Sequence, residues 1–231
     1  MTRGRSGPVV IAGLASALGV HTTAADLGAI PPVVDVVNGV LHFVLYGFVG
    51  VVLAVERRAI RTIAELATTD PLTGLANRRQ FDELAERELA GARREGHPVA
   101  VVYIDVDDLK ARNEALGHGA GDDLLGSFAD VARRGLRATD VLARMGGDEF
   151  ALLLPESDGP TAEATVERIR SDLRAAADPP ITFSAGVVAG AVDADATVEG
   201  LLEAADTAMF AAKASGKDRT VSDALPTTPS P

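Results

Sequence analysis

The chain has 231 residues, room for one or two domains, and its 24% charged and 47% apolar content fits a folded protein. It contains no cysteine, which excludes a disulfide scaffold, a thiolate metal site and a cysteine nucleophile. A formal charge of −11 excludes tight binding of nucleic-acid polymers, whose phosphates require Lys and Arg, but not of a small nucleotide with metal ions between carboxylate and phosphate.

The charge is unevenly spread: residues 1–69 carry +1 and residues 70–231 carry −12. Between Arg5 and Glu56 the only charges are Asp26 and Asp35. The run Val33–Val55 has the length needed to cross a bilayer as a helix, and Glu56-Arg57-Arg58 with Arg61 closes it, which puts that end on the cytoplasmic side. The earlier run Pro8–Val20 has three readings: the first limb of a membrane hairpin turning at Ala29–Pro32, a signal-like segment, or a buried helix. Val55–Thr69 reads as a helix with Ile60, Ile63, Leu66 and Ala67 in a narrow stripe, suited to pairing with a second helix or to packing on its own domain.

From Asp70 helices and strands alternate, an α/β pattern. Asn77–Arg94 reads as a helix and Pro98–Val106 as a buried strand. Gly121–Arg137 reads as a helix, and Val141–Met145 with Phe150–Leu154 as a hairpin around Gly146-Gly147-Asp148-Glu149. A helix over Thr161–Ala176, a strand over Ile181–Val188 and a helix over Val198–Ser215 follow. The expected organisation is membrane-anchoring segments over 1–55, a helical linker over 56–69, a folded domain over 70–221 and a disordered tail over 222–231.

The strand ends in Asp105-Val106-Asp107-Asp108. Carboxylates at the end of a buried strand are costly unless a cation neutralises them, and a hard cation with oxygen ligands does so. If the hairpin lies beside this strand, Asp105 and Asp148 converge and can hold one or two Mg²⁺ ions. Gly146 and Gly147 let a phosphate or ribose approach the turn backbone. The plainer reading is a solvated acidic hairpin tip.

Met145-Gly146-Gly147-Asp148-Glu149-Phe150 resembles the signature of the GGDEF family, the diguanylate cyclases. Companions occur in the family's order: Asp70–Arg79, Asp105–Lys110 with Asn113, Leu116-Gly117-His118, Gly121-Asp122, Thr182–Gly186, and the last helix with Ala205-Asp206, Ala208-Met209-Phe210, Ala212-Lys213 and Gly216. The resemblance covers about residues 65–221 and not the N-terminal segment.

It implies a central, mostly antiparallel sheet flanked by helices, an α/β (α+β) fold similar to the palm of nucleotidyl cyclases and polymerases, and the apolar runs put N-terminal hydrophobic helices before it. It implies that two GTP molecules are joined into cyclic di-GMP with loss of two pyrophosphates, using Mg²⁺ or Mn²⁺. By position, Asp105, Asp148 and the Val106 carbonyl would be metal ligands, and Glu149 would help with metal or with activating the ribose 3′-hydroxyl. Asn113 and Asp122 would read guanine, and His118 would lie near the substrate. Lys110, Lys213 and Lys217 would hold the triphosphate, with Lys217 where the family commonly has the bidentate Arg. Two smaller departures are Glu114 for Asp and Leu109 for Phe. Taken singly, the lysines and His118 read as surface residues and Asn113 as a cap.

Arg137-Ala138-Thr139-Asp140 stands where the family's inhibitory product site resembles RxxD; a helix-end salt bridge is the plainer reading. Each domain would bind one GTP, so the resemblance implies a homodimer with the site at the interface. The expected location is the inner membrane, with the catalytic domain facing the cytoplasm. The rival expectation is a noncatalytic receptor for cyclic di-GMP or GTP.

Overall fold

A computed structural model describes residues 32–66, 68–176 and 180–225. The chain divides into two compact units, residues 1–66 and 67–231. Among the described residues of the first, helix α1 (Pro32–Leu66) runs for 35 residues, opened by a proline whose missing N–H costs nothing in a first turn. The apolar segment and the linker expected after it are therefore one uninterrupted helix, ending at Leu66 rather than Thr69. Among the described residues, Val36–Val55 is one 20-residue stretch long and apolar enough to cross a membrane. The run Pro8–Val20 and the side chains of the Ile60, Ile63, Leu66 and Ala67 stripe lie outside the described residues.

The second unit contains β1 (Ala76–Asn77), α2 (Arg78–Glu95), β2 (Pro98–Val106), α3 (Leu109–Leu116), α4 (His118–Arg134), β3 (Val141–Gly146) and β4 (Glu149–Pro155). It continues with α5 (Gly159–Ala176), β5 (Phe183–Ala191), α6 (Val198–Ala214) and β6 (Thr220–Ala224). The described strands form one sheet in the order β1-β3-β4-β2-β5-β6. The three central pairings are antiparallel, and the two edge strands pair in parallel. This is the mostly antiparallel, helix-flanked sheet that the resemblance implies.

The continuous apolar run of β2 is explained by its central place, buried on both faces. Alternation along the strand sends Ala100, Val102, Ile104 and Val106 into a core with Phe128, Phe150 and Phe183. It sends Val99, Val101 and Tyr103 into a second core with Phe81, Leu89 and Leu201. On that second face α6 lies directly on the sheet at Gly186. A Cβ there would stand 2.0 Å from the Ala205 carbonyl oxygen and 2.2 Å from the Met209 nitrogen.

Three differences from the sequence expectations have local causes. The helix expected over Gly121–Arg137 is α4, which starts earlier at His118 and ends at Arg134, and a short helix α3 that was not expected precedes it, with Gly117 at φ 87° turning the chain between them. The edge strands β1 and β6 carry little apolar alternation and are selected by their parallel neighbours. Of the disordered tail expected over 222–231, Ser222–Ala224 complete β6 and Leu225 is buried, and residues 226–231 lie outside the described residues.

Candidate active site

The β2–β4 register places Asp105 opposite Glu149, and the Val106 N–H donates to the Asp148 carbonyl at 3.0 Å. The signature turn between β3 and β4 therefore stands beside the acidic end of β2. Gly146 and Gly147 allow this turn, with φ of 152° and 53°, values that side-chain-bearing residues rarely adopt. A cleft of about 450 Å³ opens here, walled by Asp105, Val106, Asp148, Lys110, Lys213 and Lys217 among others.

Asp105 is buried, and Lys213 from α6 reaches its Oδ2 at 2.5 Å. Burial pushes the Asp105 carboxyl up from its ordinary range; the Lys213 hydrogen bond opposes this, and the charges of Asp148 and Glu149 add to it. Tyr103, one pleat below Asp105, donates its hydroxyl to Glu149 Oε2 at 3.3 Å. Burial and the neighbouring Glu149 charge push the phenol up to about 12, so it stays a donor.

The three carboxylates that end β2 divide by role. Asp107 is saturated by the protein: Ser184 Oγ donates to Oδ1 at 2.9 Å and the Asp218 N–H to Oδ2 at 3.1 Å. Asp108 is exposed, takes the left-handed φ of 60°, and pairs with Lys217 Nζ at 2.6 Å. Asp105 is the one of the three that pairs with Lys213 beside the Asp148 turn. Among the described residues no three His, Asp or Glu side chains form a ready cage. Mg²⁺ needs none, since it commonly takes one or two carboxylates and completes its shell with substrate phosphate and water. Two carboxylates and a backbone carbonyl beside three lysines fit such an ion.

The remaining expected residues are placed as follows. Asn113 packs its amide onto Gly121, where a Cβ would stand 2.1 Å from Asn113 Oδ1. That buried Oδ1 has no hydrogen-bond donor, which is costly in a finished structure. Asp122 and His118 are exposed on the first turns of α4, outside the cleft walls. Lys110 is exposed and 3.9 Å from Glu114. Arg137 and Asp140 form no ion pair with each other. Instead the Arg137 N–H donates to Asp140 Oδ2 at 2.7 Å in a tight turn before β3, leaving the exposed guanidinium available. β3 separates this turn from Gly146 by roughly 20 Å at the usual strand rise.

Sequence reasoning gave no role to Arg144. Its Nε and Nη2 donate to the Gly147 carbonyl at 3.0 and 2.6 Å, and its Nη1 reaches both Asp70 oxygens at 3.2 Å. Asp70 also accepts from the Thr73 N–H and hydroxyl. Burial works to raise the Asp70 carboxyl, but these bonds and the Arg144 charge outweigh it and hold the group below its ordinary range. The signature turn is thus held from outside the cleft, and a charged residue directly before Met145-Gly146-Gly147 was the available signal.

The family model described as diguanylate cyclase, GGDEF domain, matches residues 67–219. The chain belongs to the GGDEF family. The GGDEF domain here is 38% identical over 159 residues to diguanylate cyclase DgcP of Pseudomonas aeruginosa, covering 66% of this chain and 23% of that protein. It is also 38% identical over 174 residues to response regulator PleD of Caulobacter vibrioides, covering 69% of this chain and 37% of that protein. The chain therefore spans about a quarter to a third of the length of these curated relatives. Among solved structures, the GGDEF domain of DgcB from Caulobacter crescentus in complex with c-di-GMP superposes with a TM-score of 0.63 at 30% identity, covering 67% of this chain and 92% of that one.

Proposed function

We propose that the chain is a diguanylate cyclase that joins two GTP molecules into cyclic di-GMP at the interface of a homodimer. The observation that carries this reading is the β2–β4 register, which sets Asp105 beside the Asp148 turn with Lys213 facing them. Asp105, Asp148 and the Val106 carbonyl would hold Mg²⁺ or Mn²⁺, which supplies charge neutralisation at the triphosphate and acidifies the attacking hydroxyl. Lys110, Lys213 and Lys217 draw the triphosphate into the cleft that they line. Glu149, oriented by Tyr103, acts on the metal or on the 3′-hydroxyl proton. The 3′-oxygen of each GTP attacks the α-phosphorus of the other, and the bond from that phosphorus to the pyrophosphate oxygen breaks. Two such steps close the ring and release two pyrophosphates and two protons.

Asn113 and Asp122 read guanine. The unpaired Asn113 Oδ1 supports this, because guanine offers the adjacent N1–H and 2-amino donors that adenine lacks. His118 lies by the base, and Gly146 and Gly147 leave room for the nucleotide. One domain cannot present both substrates to each other, which requires the pair. Arg137 and Asp140 would take cyclic di-GMP as an inhibitor, the free guanidinium offering a fork to phosphate or guanine. Val36–Val55 would hold the chain in the inner membrane with the GGDEF domain in the cytoplasm, supported by the arginines that follow the span.

The test is purified full chain in detergent with GTP and Mg²⁺, with products separated chromatographically. Cyclic di-GMP and pyrophosphate are expected, and Asp148→Ala should lower turnover about a thousandfold or more, since it removes a group acting on the transition-state charge. Folded wild-type protein that binds GTP or cyclic di-GMP without turnover would instead make the chain a receptor.

A further inference from the structure

We propose that Arg170, buried on α5 and absent from the cleft wall, is a positioning residue that sets triphosphate affinity by holding Lys217 in place through Asp218. The inference rests on the cyclase reading above for the identity of the ligand.

The Arg170 side chain is only 3% exposed, and a buried guanidinium persists only where its donors are paired. Its Nη1 donates to the Phe183 carbonyl at 2.5 Å and to Asp218 Oδ1 at 2.8 Å. Its Nη2 donates to Thr220 Oγ1 at 2.9 Å, its Nε to Glu167 at 3.2 Å, and the fork lies 4.1 Å from the centre of the Phe183 ring. Such a set of directions suits a planar guanidinium and not an ammonium.

Asp218 is held three ways. Arg170 takes one carboxylate oxygen, Arg174 takes the other at 2.5 Å, and its backbone N–H donates to Asp107 Oδ2 at 3.1 Å. Burial works to raise the Asp218 carboxyl, and the two arginines outweigh it and keep it low. These bonds hold an unfavourable backbone. Gly216, Lys217 and Asp218 follow α6 with φ of 113°, 59° and 44°, and two of the three are not glycine. That left-handed run turns the Lys217 side chain back to the cleft, where it lines the wall and meets Asp108. Asp107, which accepts from Asp218, sits between the expected ligand Val106 and Asp108. One buried arginine therefore ties the lysine turn to the acidic loop that it faces. Without the Arg170–Asp218 bond, Asp218 keeps Arg174 and Asp107 but its carboxylate loses its one buried partner, and Lys217 loses its fixed approach.

The experiment measures steady-state GTP kinetics and GTP binding for the full chain in detergent, comparing Arg170→Lys, Asp218→Asn, Lys217→Ala and the double variants with Lys217→Ala. Arg170→Lys is expected to raise KM for GTP roughly tenfold, the scale of one charge-assisted hydrogen bond, with kcat changed less than about twofold. Once Lys217 is alanine, Arg170→Lys should add nothing to KM, since it acts through that side chain. If Arg170→Lys fails to fold by thermal melting, Asp218→Asn carries the same prediction, its side chain being 29% exposed and its backbone bond to Asp107 retained. A folded variant with wild-type KM, or effects that add to Lys217→Ala, overturns the inference alone. Wild-type protein that binds GTP without turnover moves the readout to Kd with the same expectations; wild-type protein that binds no GTP overturns the cyclase reading and the inference together.

Discussion

The two units treat most of their phenylalanines differently. In α1, Phe43 is 80% and Phe48 65% exposed, whereas in the sheet unit Phe81, Phe128, Phe150 and Phe183 are fully buried and only Phe210, at 70%, is exposed. A helix satisfies its backbone internally, so α1 can offer its aromatic side chains to an apolar surrounding. A sheet must find neighbours for each strand, and its aromatics pack on one another; Phe128 and Phe150 have ring centres 4.5 Å apart. Among the described residues, α1 thus leaves its aromatic side chains uncovered, and the sheet unit covers most of its own.

The largest expected effect that sharpens this contrast comes from Gly186→Val. The added atoms would overlap the α6 backbone, which cannot give way as a side chain can. A loss of about 3 kcal/mol or more is expected, read as a drop in the melting temperature of the sheet unit, with the α1 helical signal in detergent retained. Loss of both signals together would break the division into two units.

Next in size is removal of α1. A shortened chain beginning at Thr68 keeps the whole sheet and should melt cooperatively without detergent. If α1 raises the local concentration of partner domains, turnover per domain at micromolar protein should fall by about tenfold or more and recover as protein concentration rises. Equal activity and equal dimerisation in the two chains would show that the first unit contributes nothing to pairing.

The smallest effect concerns Asp105. Its carboxyl is pushed up on folding, so ionising it opposes folding, and its destabilising contribution grows as pH rises from the unfolded carboxylate value through the folded one. Asp105→Asn should therefore raise the melting temperature by a few degrees at neutral pH while abolishing turnover, and the gain should vanish below about pH 4. Asp70 and Asp218 have the opposite sign. Their carboxyls are held low, so the stability that they add is present above the unfolded value and is lost as pH falls through the folded one. A rise for Asp105→Asn that persists in acid would break this assignment.

Much of the sheet unit was legible because its signals are local. The β-branched run of β2 declares a strand buried on two faces, and two adjacent glycines between short apolar runs declare a hairpin. Asn77 and Thr197 announce the starts of α2 and α6 by capping them. The short helix α3 and the edge strand β6 were missed because eight residues with no buried face, and a short polar strand, have too little local preference to stand out.

The sequence by itself determined that a membrane-length apolar run precedes an α/β domain, and that paired acids and glycines of the GGDEF signature stand at a strand end and a turn. These are properties of neighbouring residues, readable from spacing and side-chain chemistry. The tertiary structure decided which partners each of the three neighbouring carboxylates takes. Asp107 is filled by Ser184 and Asp218, 77 and 111 residues away, whereas Asp105 meets Lys213 and the Asp148 turn. It also set Arg144 on the carbonyl of the signature turn and Arg170 on the Asp218 carboxylate, both outside the cleft wall. Hydrogen-bond partners separated by so much chain are set by the packing of helices on the sheet, and no local pattern encodes them.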